Sequence, residues 1–209
     1  MTSARQSCGS VSSTTRGIFA GGSTGSSNVV TSDYITIASV GNASNFGSLS
    51  VARQQSAGCS SPIIGLICGG YASGAVNVID YFTITTLGDA LDFGDLTAIR
   101  NGGGCCSSPT RGIYAGGQNG STAQTNIDIF GLVTTSTATN FGNLSTGTFG
   151  LHACSSHVKG TLIGGYDTAN LASMQALNFA TAGVLSTFGN LITARRFGAA
   201  CSNSHGGLA

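Results

Sequence analysis

Glutamate and tryptophan are absent from this sequence, lysine occurs once, at Lys159, and proline twice. Charged residues make up 7% of the chain. Helix interiors draw heavily on Glu, Lys, Gln, Ala and Leu, so this shortage argues against a helical protein. The net charge is +1, with no basic patch to attract a phosphate backbone, so nucleic acid is not an expected partner. No apolar run approaches the roughly 20 residues of a membrane-spanning helix, and membrane insertion is not expected. The opening stretch "MTSARQSCGS" lacks the apolar core of a secretion signal.

What is present is Gly (33 residues), Ser, Thr, Asn, Val and Ile, a composition that suits short strands and turns. So much Gly and Ser also suits disorder. The 41% of hydrophobic residues and a mean hydropathy of +0.24 argue against that reading.

The chain repeats itself. Paired glycines stand at Gly21-Gly22, Gly69-Gly70, Gly116-Gly117 and Gly164-Gly165. A Phe-Gly-x-Leu phrase begins at Phe46, Phe93, Phe141 and Phe188. A third landmark is the arginine at Arg5, Arg53, Arg100 and Arg195, with Thr148 standing where the fourth unit would have its own. Three landmarks in one register mark units at 5–52, 53–99, 100–147 and 148–194, with a partial fifth at 195–209. Strand-rich periods of about 40 to 50 residues favour a propeller. The expected fold is therefore all-β: one β-propeller domain over 1–209, with four complete four-stranded units and a fifth begun. In unit two the expected strands are Ala57–Ser61, a stretch closing at the double glycine, Val78–Thr85 and a stretch through Asp92–Thr97. Alternation in the third points Phe82 and Ile84 one way and Tyr81, Thr83 and Thr85 the other. The polar stretches after each double glycine read as surface loops. Aligned on Arg195, Leu208 matches Ile18 and Ala209 matches Phe19, so the sequence stops inside a second strand, as a segment of a longer array would. An incomplete edge is a template for association, and an oligomer or assembly is expected.

The leading Arg, the strand closed by Gly-Gly ("IYAGG" at Ile113–Gly117), Tyr81 and Phe93 resemble the kelch repeat. Phe stands where that repeat usually has Trp, and Ile129 and Ala176 replace the Tyr in units three and four. The phrasing "YITIASVGNASNFGSL", followed by "AR", "CSSP" and "RGIYAGG", is similar to kelch-like repeats of tailed-bacteriophage virion proteins. The resemblance covers nearly the whole chain. It implies a virion structural or surface module in a tail, a fibre or on the capsid, partnered by other virion proteins or copies of itself and attaching to a host-surface glycan or protein. It places the chain in the virion, made in the host cytoplasm. The alternative is a standalone lectin-like propeller.

Candidate chemistry is sparse, and no enzymatic activity is expected. Cys59, Cys106, Cys154 and Cys201 share one repeat slot, filled by Val11 in unit one, and read as small buried hydrophobes. A metal ring at that slot lacks the short Cys-x-x-Cys pairs of structural zinc sites, and no metal or other cofactor is expected. Cys8, Cys68 and Cys105 fall outside the slot, and Cys105 and Cys106 face opposite ways on a strand. His152, His157 and His205 share no slot. Asp89, Asp92 and Asp95 cluster in unit two as a solvated turn, with a weak calcium site as the alternative. The periodic Arg, and the acidic slot at Asp33, Asp80 and Asp128 (Gln175 in unit four), predict Arg bonded to carbonyls or to Asp within the frame. Tyr71 and Tyr166 follow the double glycine directly. They are the candidate binding residues, because an aromatic beside Asn, Asp and Ser can stack on a sugar face.

Overall fold

The computed structural model describes residues 1–202. The matches at Leu208 and Ala209, and His205, lie outside the described residues. The described chain is all-β, with 18 strands and no helix.

Each repeat folds into one antiparallel four-stranded meander. Sheet one is β1 (Gly9–Ser12), β2 (Arg16–Ala20), β3 (Thr31–Thr36) and β4 (Ser44–Ser48). Sheet two is β5 (Ala57–Ser60), β6 (Ile64–Tyr71), β7 (Ala75–Thr83) and β8 (Leu91–Asp95). Sheet three is β9 (Gly104–Ser107), β10 (Arg111–Ala115), β13 (Asn126–Gly131) and β14 (Thr139–Asn143). A small hairpin, β11 (Gln118–Asn119) and β12 (Thr122–Ala123), interrupts it. Sheet four is β15 (His152–Ser155), β16 (Lys159–Ile163), β17 (Ser173–Asn178) and β18 (Thr181–Asn190).

Consecutive sheets pack face against face, so both faces of the inner sheets are apolar. Phe82 and Ile84 meet Phe46 and Leu49 between sheets one and two. Leu66, Ile79 and Phe93 meet Phe130 and Leu132 between sheets two and three. Ile113 and Phe141 meet Leu162 and Phe179 between sheets three and four. Aromatic edges set these contacts: Phe46 on Phe82 and Phe93 on Phe130, both T-shaped, with centroids 5.3 and 6.3 Å apart.

The first strands of the units are neighbours, and hydrogen bonds stitch them at two levels. Ser60 Oγ donates to Ser12 O at 2.8 Å, Ser107 Oγ to Ser60 O at 2.8 Å and Ser155 Oγ to Ser107 O at 2.7 Å. Near the starts of these strands, one repeat position is left-handed in every unit: Ser7, Gln55, Gly102, Gly150 and Phe197. There the N–H of each unit donates to the carbonyl of the unit before: Gln55 to Ser7, Gly102 to Gln55, Gly150 to Gly102 and Phe197 to Gly150, at 2.6–2.9 Å. Holding Ser7, Gln55 and Phe197 left-handed costs about 1 kcal/mol or more each, and the ladder offsets that cost. The first strands and Ala200–Ser202 together line a cavity of about 360 Å³.

The double glycine closes each second strand against the next unit. Gly69 is left-handed, and a Cβ on it would stand 2.6 Å from Arg100 O. Gly70 N donates to that same carbonyl at 2.9 Å. Only a bare backbone approaches this closely.

In three units the arginine slot bonds both carbonyls and Asp, whereas Arg195 is exposed and its guanidinium donates only to Thr193 O among the described residues. Arg5, Arg53 and Arg100 pair with Asp33, Asp80 and Asp128, with no side-chain exposure on either partner. Each also donates to a carbonyl of the second strand or of its glycine corner: Phe19, Ile67 and Gly116. The carboxylates take two further bonds from the residue three before each Arg, through its N–H and hydroxyl: Thr2, Ser50 and Thr97. In unit four Thr148 and Gln175 fill the two slots. Ser145 N still donates, now to Gln175 Oε1 at 3.2 Å.

The cysteine slot departs from the expectation in two units. Val11, Cys59 and Cys106 are buried, but Cys154 is half-buried and Cys201 exposed. They lie at and beyond the last complete sheet, where among the described residues no further sheet covers them.

Candidate binding surface

The residue after each double glycine is pinned by paired backbone hydrogen bonds to the residue after the Arg slot. The pairs are Gln6 with Ser23, Gln54 with Tyr71, Asn101 with Gln118 and Phe149 with Tyr166. Tyr71 and Tyr166 therefore occupy one structural position, two units apart. Gln118 holds that position in the unit between them, so the two tyrosines are not successive.

Their surroundings differ. Tyr71 is 40% exposed. Asn28 of unit one reaches across to donate to Tyr71 O and Ala72 O, both at 2.9 Å, and fixes the loop backbone beneath the ring. Tyr166 is half-buried. The guanidinium of Arg196 lies 4.2 Å from its ring centroid, and Phe149 meets it edge-on at 5.3 Å. Arg196 therefore already occupies a face on which a sugar would stack.

These loops share an end of the molecule with the left-handed ladder. There Ser7, Gln55, Gly102, Gly150 and Phe197 rim a second cavity of about 450 Å³. At its rim Asn101 Nδ2 donates to Gln55 Oε1 at 2.6 Å and Gly198 N donates to His152 Nε2 at 3.2 Å, while the buried Ser56 Oγ of its lining has no partner among the described residues. Burial, and then the charge of Arg195, hold His152 below the ordinary histidine value, so the imidazole accepts that bond as the neutral base.

The other titratable candidates do not converge. Asp89 and Asp92 are exposed, and each accepts a backbone N–H, from Ser48 and Gly94. Asp95 is also exposed. The Asp92 bond is local to its own turn, whereas the Asp89 bond crosses from unit two to β4 of unit one. His157 sits in an exposed turn, away from His152 on β15.

One cluster was not visible in the repeat. Cys59 and Cys68 lie on the face of sheet two that meets sheet three, and Cys105 projects from β9 of sheet three towards them. Their three sulfurs all lie within 4.8 Å of one another. Cys106, next in the chain, points the other way, into the layer between sheets three and four. Burial pushes the Cys105 thiol up. At Cys68 burial works in the same direction, but hydrogen bonds from Cys105 and Cys59 and the charge of Arg53 outweigh it and bring the thiol down to about 5. The spacing gave no signal, because the three residues belong to three different repeat slots. No protein-family model matches the chain, and no curated protein matches it in sequence.

Proposed function

We propose that the chain is a kelch-like β-propeller, four blades with a fifth begun. We propose that it serves as a structural or surface module of a tailed-phage virion, in the tail, a fibre or on the capsid, and attaches to a host surface or to virion partners. The observation that carries this reading is the division of labour within each unit. Ion pairs buried in three of the units, and glycine corners and stitched first strands in all four, hold four sheets around one cavity, as blades sit around an axis. Variation is concentrated in the loops after the double glycines, at one end. Variable loops on a constant frame suit recognition of an external surface. Sheet four leaves Val184 and Phe188 exposed, with Ile192 exposed just beyond its last strand, which suits contact with a virion protein or a second copy.

The test combines detection of the chain in purified phage particles by mass spectrometry with binding of the isolated chain to susceptible cells. Replacing 119–123 by Gly and Ser should abolish binding and leave the melting temperature unchanged. Absence from particles together with no cell binding would refute the proposal.

A second reading, a lectin-like propeller, draws on the exposed ring of Tyr71 above the loop that Asn28 fixes. In that case Tyr71→Ala abolishes glycan binding by the isolated chain, and Tyr166→Ala, whose ring Arg196 covers, has the smaller effect.

A further inference from the structure

Three thiols from two sheets meet where the repeat would supply small apolar side chains. The Cys68 slot holds Ala20 and Ala115 in units one and three, the Cys105 slot holds Ser10, Gly58 and Ala153, and the Cys59 slot holds Val11 in unit one. Packing alone is satisfied by those residues. The coincidence of three sulfurs at one point is what needs a chemical account.

A metal ion bound by three sulfurs at about 2.3 Å each sets the sulfurs about 4 Å apart in a plane around it. The observed separations, all within 4.8 Å, are a small rotamer adjustment from that figure. An all-thiolate set selects soft ions: copper(I), zinc or an iron–sulfur cluster. Structural zinc takes four ligands and iron–sulfur clusters take four cysteines. Among the described residues no fourth Cys, His, Asp or Glu joins these three. Leu66, Ile79, Leu96 and Tyr114 pack around the group, and the described residues offer three sulfurs and no further ligand. Monovalent copper is satisfied by three sulfurs. Cys59 and Cys105 also border the cavity between the first strands, which provides a path of entry.

We propose that Cys59, Cys68 and Cys105 form a trigonal binding site for one copper(I) ion. On binding, three Cu–S bonds form, and each ligand sulfur that still carries a proton breaks its S–H bond and releases that proton to solvent. No oxidation state changes, so no oxidant or reductant takes part.

The test is an anaerobic titration of the reduced, metal-free full chain with copper(I) held by a competing bidentate chelator. The chain should withdraw one equivalent, with an ultraviolet thiolate-to-copper charge-transfer band. Cys59→Val, Cys68→Ala and Cys105→Ala each install a residue that the repeat already carries at that slot, so the fold is kept, as circular dichroism would verify. Each should weaken binding by more than the roughly 10- to 100-fold that loss of an outer-shell partner costs. Cys8→Ser and Cys201→Ser should leave it unchanged. The proposal is overturned if the triple variant withdraws as much copper as the native chain. It is also overturned if one equivalent of zinc(II) displaces the copper.

Discussion

Sheets two and three and sheet four come from one repeat, yet they solve the same packing problem with different chemistry. In units two and three a buried Arg and a buried Asp meet at no exposure, and the carboxylate takes further bonds from Ser50 or Thr97. In unit four both charges are gone together, and Thr148 and Gln175 keep the neutral part of the network. The backbone role of the slot survives the exchange: Gly117 N donates to Thr148 O at 2.8 Å, as Gly70 N does to Arg100 O. The pair is therefore one unit of design. A buried charge is tolerated only with its partner, and removing both costs less than removing one.

Breaking one pair tests this most severely. Asp128→Ala leaves the Arg100 guanidinium buried without its counter-charge and should cost about 3–5 kcal/mol in urea unfolding. Gln175→Ala removes one hydrogen bond at a solvent-facing site and should cost about 1 kcal/mol or less. The double change Arg100→Thr with Asp128→Gln transplants the unit-four solution into unit three. It should recover much of the loss, a coupling that a double-mutant cycle would measure. Losses that simply add, with the double change costing as much as the two single changes together, would show that the two residues act independently.

The second contrast is burial. Phe93 and Phe188 hold the same repeat position, yet Phe93 is 3% exposed between sheets two and three and Phe188 is 61% exposed on sheet four. Phe93→Ala should destabilise by roughly 3–5 kcal/mol, because a cavity opens among Tyr81 and Phe130. Phe188→Ala should change the isolated chain by about 0.5 kcal/mol or less. If a second copy covers sheet four in solution, the apparent stability of the native chain depends on protein concentration, and Phe188→Ala weakens that dependence.

The frame was legible in the sequence because charge and glycine are informative here. In a chain with so few ionic groups, an Arg and an Asp recurring in register had little to do except find each other. A Gly-Gly closing each apolar strand pointed to a close backbone approach. The all-β meanders followed from the same period. The candidate surface was legible only in part. Tyr71 and Tyr166 share a sequence position, but the partner that covers one of them, Arg196, belongs to the next unit. The thiol cluster escaped because Cys59, Cys68 and Cys105 converge through the facing of two sheets, and that relation has no fixed spacing along the chain. The left-handed ladder escaped because its slot holds Ser, Gln, Gly, Gly and Phe, and only the two glycines advertise the conformation.

The smallest expected effect concerns His152, where sheet four again differs from its neighbours. The matching positions in the other units are Gly9, Ala57 and Gly104, so a titrating group enters the frame here alone among the described units. Burial, with Arg195 adding to it, lowers the His152 value in the folded chain, and Gly198 N donates to Nε2, which must be unprotonated to accept. As pH falls through the ordinary histidine range near 6.5, the unfolded chain therefore takes up the proton first. Stability is full above that range and declines as pH drops below it, towards the lowered folded value. The ring is partly exposed, so solvent screens much of the effect, and the decline should be a shallow shoulder in the melting temperature below about pH 6.5. His152→Gln, which keeps an acceptor without a proton to gain, should remove the shoulder. A shoulder of the same size in the variant would assign the pH response to another group.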